Sequence, residues 1–339
     1  MLPKANSTKA TDLMADDESF PPKMIQNLVF GKYRNSPHKG RPFITQDCWA
    51  DLVDNERTFF LRPKEDTFPS LKVLNEWIES LPHPINLVIN NQHAESWPPD
   101  LNNIDQYNLI LNQPNLNAVY AGNVRSTKYH PKLKPLALGP KWNWKFTQLF
   151  SEDKESLTQL YAENTATTPE GVESLFRSKE RTLTVYVRSM ENSNMRMKHM
   201  ENYVRDNPAL QTPRFDIPDI LKATAKNSVV FHSGKLSQPQ YFSTLKKHRF
   251  AISPAGQGLD THGTWEALMA GCIPIVPSSQ LDPMFEDLPV WLIKSWKEVT
   301  DESIKKMDEE MRQKQYKWEK LFISYWKEEI YRGLGEQSI

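Results

Sequence analysis

Residues 250–277 read FAISPAGQGLDTHGTWEALMAGCIPIVP, and no other stretch limits the fold so tightly. Arg249, Phe250, Ala251 and Ile252 form a short apolar run that ends a strand. Ser253, Pro254, Ala255, Gly256, Gln257 and Gly258 then make a turn-rich loop. Asp260 or Thr261 is placed to cap a helix by accepting a hydrogen bond from one of its orphan N–H groups. Trp265, Leu268 and Met269 fall at i, i+3 and i+4, which gives that helix an apolar face. Gly271 closes it, because glycine accepts the left-handed conformation that ends helices. Residues 272–276 continue as a buried strand, and Pro277 stops it. The order is strand, glycine loop, helix, strand, with the loop emptying onto a helix N-terminus. Such a terminus carries unpaired N–H groups and partial positive charge, and it suits a phosphate.

The rest of the chain follows the same rhythm. Residues 57–61 and 85–89 read as strands around a helix at 70–80, whose apolar face is Leu71, Val73, Leu74, Trp77 and Ile78. A polar mouth, residues 90–96, follows the second strand, and further strands read at 117–121 and 133–138. Gly139 and Pro140 break the pattern, and the polar residues 142–176 connect two halves. The second half runs strand 183–187, helix 195–204, strand 228–231, helix 237–247, the central stretch, strand 290–293 and helix 301–311. Residues 316–331 carry Trp318, Leu321, Phe322, Tyr325 and Trp326 and predict one amphipathic helix. Alternating strands and helices signal parallel sheets covered on both faces. The expected organisation is a disordered tail at 1–24, a Rossmann-like domain at 25–145, a connection at 146–178, a second such domain at 179–315, and a closing helix at 316–339.

Composition removes some functions. Length, 339 residues, suits two domains. Lys plus Arg equals Asp plus Glu at 42 each, so no net charge argues for nucleic acid or an anionic membrane. Cys48 and Cys272 make no disulfide framework, and Cys272 reads as a buried core thiol. No apolar run of about eighteen residues encodes a transmembrane helix. The N-terminal residues lack the apolar segment of a signal peptide, although Asn6, Ser7 and Thr8 form a sequon. The expected compartment is the cytoplasm if the chain is complete, or the Golgi lumen if an N-terminal anchor precedes it.

Residues 250–276 resemble the C-terminal signature of exostosin-type glycosyltransferases, roughly F-x-x-S-P-x-G-x-G-x-D-T-H-R-x-W-E-A-L-x-x-G-C-I-P-I-V. The similarity continues through Leu281, Asp282, Leu288, Pro289, Val290, Trp296, Lys297, Glu298, Val299 and Thr300. Tyr129, His130, Pro131 and Lys132, leading to Leu138 and Gly139, resemble a lysine-to-glycine strand of such enzymes. Phe59, Phe60, Leu87, Val88, Ile89, Asn90 and Asn91 resemble parts of their acceptor half. The resemblance implies an α/β protein of two facing Rossmann-like domains with parallel sheets, the GT-B architecture. It implies a nucleotide-sugar, a UDP-sugar, as co-substrate on the C-terminal domain and a glycan or glycoprotein acceptor on the N-terminal one. It also implies inverting transfer with no metal or other cofactor. The chain holds no Asp-x-Asp triplet, so charge on the leaving diphosphate must be met by protein donors.

The resemblance assigns donor contacts to Ser253, Gly256, Gln257, Gly258, Asp260, Thr261, His262 and Glu266. Gly256 and Gly258 let backbone approach the diphosphate; Glu266 resembles the acid that accepts from ribose hydroxyls. Arg188, at the mouth of a strand, and Arg196, at the start of the next helix, are the basic candidates, since a guanidinium binds phosphate bidentately. Lys235 is similarly placed. His93 and Glu95 are candidates for the base that takes the acceptor's proton, with an acceptor-side surface role as the alternative. One position departs from the family. Gly263 stands where the pattern has arginine, and a charge-assisted bond contributes about 1.5–3 kcal/mol. Either Arg188 or Arg196 compensates, or the chain is a weak or inactive relative that binds a glycan or nucleotide without turnover. An oxidoreductase fits less well, because Thr261 replaces the third glycine and the loop lies late in the chain.

Overall fold

The structure, a computed structural model, describes residues 57–61, 71–89, 104–124, 130–140, 168–188, 207–234, 236–256, 258–332 and 334. These fall into two compact units. Described residues up to Leu136 and from Trp326 onward form the first, and Ala137 to Tyr325 the second.

The first unit is a parallel sheet in the order β1 (Thr58–Leu61), β2 (Ile85–Ile89), β3 (Leu116–Gly122), β4 (Leu133–Leu136). Its helices are α1 (Leu71–Glu79) and α2 (Ile104–Leu111). Every residue of β2 is buried, as expected of a strand covered on both faces. Asn86 is the polar exception, and its amide is satisfied: Nδ2 donates to the Ile330 carbonyl at 2.5 Å, and Oδ1 accepts from Asn117 Nδ2 at 2.8 Å. Helix α2 lies outside the expected elements, although Tyr107, Ile110 and Leu111 bury a face at helical spacing.

The second unit carries a five-stranded parallel sheet of β5 (Thr182–Arg188), β6 (Val229–His232), β7 (His248–Ile252), β8 (Ile273–Pro277) and β9 (Trp291–Ile293). The strand order is β6-β5-β7-β8-β9. Six helices accompany it among the described residues: α3 (Pro169–Arg177), α4 (Pro208–Gln211), α5 (Ile217–Thr224), α6 (Gln238–Leu245), α7 (His262–Met269) and α8 (Asp301–Arg312). From β5 the chain steps outward to β6, then returns across β5 and proceeds through β7 to β9. The direction of winding therefore reverses between β5 and β7. Open α/β sheets bind ligands outside the strand carboxyl ends at such a reversal.

Helix α3 lies inside the stretch expected to be a connection, and its Phe176 is fully buried. Gly271 follows α7 with φ +70° and packs against α3. A Cβ there would stand 2.7 Å from the Phe176 N and 2.8 Å from the Leu175 carbonyl carbon. Glycine is thus required twice, for its conformation and for its missing side chain.

The long helix expected at 316–331 is broken. Trp318–Leu321 is a 3₁₀ turn, Phe322 is extended at φ −112°, and α9 (Ile323–Arg332) begins after it. Tertiary partners claim the turn. The Trp318 indole N–H donates to the Glu173 carboxylate, and its ring lies 5.4 Å from that of Phe176. The buried Lys320 ammonium donates to the Glu286 carbonyl at 2.5 Å. Among the described residues no helix is long and apolar enough to cross a membrane.

Candidate functional site

Strand β7 delivers residues 253–260 to the reversal of the second sheet, and α7 starts directly behind them. The glycine loop and the site favoured by topology are therefore the same place. Arg188 is exposed at the carboxyl end of the neighbouring strand β5, with its guanidinium 5.8 Å from the centre of the Tyr241 ring.

The interior of the loop is held by hydroxyls. Ser253, 3% exposed, shares hydrogen bonds of 2.8 Å with both Thr261 Oγ1 and Thr264 Oγ1. Thr261 occupies the N-cap position with extended backbone, yet its side chain makes no capping bond, because the hydroxyl is turned to Ser253. The capping expected of Asp260 or Thr261 is corrected accordingly. Asp260 is 2% exposed and points inward rather than toward a ligand. Its carboxylate accepts from Trp265 Nε1 at 2.9 and 3.0 Å and from the Leu138 N–H at 2.7 Å. Burial pushes its pKa up to about 7, against the opposing pull of these donors and of the Thr261 N–H. Asp260 therefore ties the start of α7 to Trp265 and Leu138.

His262 is half-buried, and its Nδ1 donates to the Gly139 carbonyl at 2.7 Å. A carbonyl only accepts, so Nδ1 carries a proton. Glu266 is 6% exposed, so it is not a solvated helix residue. Its carboxylate lies near the Tyr241 hydroxyl, whose pKa is raised chiefly by burial and then by Glu266. Gly263 is helical, and a Cβ there would stand 3.3 Å from Ser253 Oγ.

Gly256 differs from its expected role. Its N–H donates to the Gly258 carbonyl at 2.9 Å, so the loop itself uses that amide. The space a Cβ would fill belongs to Arg214, whose Nη2 would be 3.1 Å away. Arg214 is the residue sequence reasoning missed. Its Nε donates to the Ala255 carbonyl at 2.6 Å and its Nη2 to the Pro254 carbonyl at 2.7 Å. No spacing rule links it to the loop, which lies forty residues on; only the fold joins them. By spacing alone Tyr241 is an apolar-face residue of α6, and the structure sets it beside Arg188 and Glu266.

The site thus assembles Arg188, Arg214, Tyr241, the loop from Ser253, Thr261, His262 and Glu266. Gln257, Arg196, Lys235, His93 and Glu95 lie outside the described residues. Among the described residues no group of three or more His, Cys, Asp or Glu side chains is placed to hold a metal ion. No model of a known protein family matches the chain, and no curated protein matches it either.

Proposed function

We propose that the chain is an inverting, metal-independent glycosyltransferase that moves a sugar from a nucleotide-sugar, a UDP-sugar, to a glycan or glycoprotein acceptor. One observation carries this. The stretch that resembles exostosin-type transferases is also the loop at the β5–β7 reversal, where an α/β sheet favours a ligand on topology alone. The two lines of support are independent of each other.

In the proposed reaction an acceptor hydroxyl oxygen attacks the anomeric carbon. The bond from that carbon to the diphosphate breaks on the opposite face, and the nucleoside diphosphate leaves. His93 or Glu95 takes the hydroxyl proton. Negative charge grows on the leaving oxygen, where the opening of α7 and the guanidinium of Arg188 supply opposing charge. Glu266, enclosed one turn into α7, is assigned to the ribose hydroxyls. The proposal extends to the GT-B arrangement, two Rossmann-like domains facing one another with the acceptor on the first.

A thermal-shift screen against UDP-, GDP- and CMP-sugars tests it. A ligand at a hundred times its Kd stabilises by about 2.7 kcal/mol, or a rise in Tm of roughly 5–10 °C for a unit of this size. A rise with UDP-sugars alone supports the proposal, and silence with all three sinks it. Gly263 favours a second reading, a relative that binds without turnover. Release of UDP from a bound UDP-sugar separates the two.

A further inference from the structure

We infer that Phe215 is the platform on which the donor's sugar rests. Its exposed ring takes the C–H face of a pyranose, across the glycine loop from Glu266. This rests on the glycosyltransferase reading, which sets the diphosphate on the loop and the ribose at Glu266.

Residues 207–216 cross the carboxyl ends of three neighbouring strands and are pinned at each. Asn207 Nδ2 donates to the Ser278 carbonyl, just after β8, at 2.5 Å. The Ala209 N–H donates to the Lys294 carbonyl, just after β9, at 2.9 Å, and the Ala209 carbonyl accepts from Trp296 Nε1 at 3.0 Å. Arg214 Nε and Nη2 donate to the Ala255 and Pro254 carbonyls, just after β7, at 2.6 and 2.7 Å. The Asp216 N–H closes a turn onto the Pro213 carbonyl at 3.0 Å, and α5 follows with the fully buried Ile217. Phe215 sits between these anchors and is 58% exposed. A single exposed apolar side chain is ordinary on a protein surface. This one differs in that the backbone on both sides of it is fixed, one residue from the arginine that grips the loop. A ring held in place in advance costs little entropy when a ligand covers it.

Topology selects which part of a donor reaches it. Between β5 and β6 the chain steps outward through α5, and between β6 and β7 it returns through α6. Right-handed crossovers taken in opposite directions lie on opposite faces of a sheet. Helices α6 and α7 share one face and touch each other, whereas α5 packs against the 3₁₀ turn Trp296–Glu298. Glu266 and Tyr241 therefore flank the loop from the α6–α7 face, and Phe215 flanks it from the α5 face. A nucleotide-sugar carries its ribose and its sugar at opposite ends of the diphosphate. With the ribose at Glu266, the sugar is carried toward Phe215. A pyranose with equatorial hydroxyls, as in glucose or N-acetylglucosamine, turns axial C–H bonds to both faces. An aromatic ring covers such a face and removes apolar surface of both partners from water.

The test is calorimetric titration of UDP, UDP-glucose, UDP-N-acetylglucosamine, UDP-galactose, UDP-xylose and UDP-glucuronic acid into the full chain and its Phe215→Ala and Phe215→Tyr variants. The parent should bind at least one of these sugars several-fold more tightly than UDP. Phe215→Ala should lose about five- to tenfold in affinity for that sugar, as expected for uncovering roughly half a phenylalanine, while its affinity for UDP stays within about twofold. Phe215→Tyr keeps the ring and should stay within about twofold of the parent for both. Unchanged UDP binding by Phe215→Ala also reports that the loop is intact. A UDP-sugar affinity that Phe215→Ala leaves in place overturns the platform and leaves the glycosyltransferase function standing. Equal losses for UDP and UDP-sugar overturn it as well, since Phe215 would then shape the loop or meet the nucleotide. So does a parent that binds UDP and every sugar equally. Should Phe215→Ala fail to fold, Phe215→Gln decides by the same comparison. A parent that binds neither UDP nor any UDP-sugar overturns both the platform and the function it rests on.

Discussion

Replacing Asp260 by asparagine sets burial against hydrogen bonding in one side chain. The carboxylate is 2% exposed, and the N–H donors of Trp265, Leu138 and Thr261 favour its ionised form. Burial favours the protonated form and wins, holding the pKa at about 7 against an ordinary 3.8. Between about pH 4 and pH 7 the folded chain thus keeps a proton that the unfolded chain has released. Stability therefore falls as pH rises through this window and levels off above it. A tenfold difference in proton affinity is worth about 1.36 kcal/mol, so this group accounts for a fall on the order of 4 kcal/mol. Asparagine does not titrate, so Asp260→Asn should lack that slope. The substitution also turns an amide N–H₂ toward Leu138 or Trp265, leaving a donor facing a donor at a cost of about 1–3 kcal/mol. Urea unfolding of both chains at closely spaced pH values from 4.5 to 8.5 reads the difference directly. The parent's advantage should be largest at the acid end and shrink by several kcal/mol toward pH 7.5. An advantage that stays constant or grows with pH means that the three N–H donors prevail and Asp260 is ionised throughout, which would refute the reasoning.

Other consequences are sharper to measure. Gly271→Ala should lower stability by about 2–4 kcal/mol in the same urea assay, from the left-handed backbone and a Cβ 2.7 Å from the Phe176 N. Loss under about 1 kcal/mol would show that α3 moves away freely. Gly263→Arg should tighten UDP binding on the order of tenfold by calorimetry, with little change in Tm. Its Cβ meets Ser253 Oγ at 3.3 Å, while the gain in helix propensity over glycine, about 0.8–1 kcal/mol, offsets that contact. An unchanged Kd for UDP would place the anion elsewhere.

Much of the second unit is legible in the chain. Strand β7, the loop, α7, the Gly271 stop and β8 follow from local rules: an apolar run, turn residues, helical spacing and a left-handed glycine. Strand β2, covered on both faces, follows from its run of apolar residues. Helix α2 is equally legible in the spacing of Tyr107, Ile110 and Leu111, and its polar flanks conceal it. The break at Phe322 is not, because Trp318, Lys320 and their partners at Glu173 and Glu286 are far apart in sequence.

The residues alone determined that a glycine loop would empty onto a helix between two strands, since those choices depend on neighbours a few positions away. Tertiary structure decided that the loop stands where the sheet reverses direction, because strand order is set by long-range pairing. It also turned Asp260 inward to Trp265 and Leu138 and drew Arg214 under Gly256. A side chain's partners across forty or more residues depend on how layers pack, and no local periodicity carries that information.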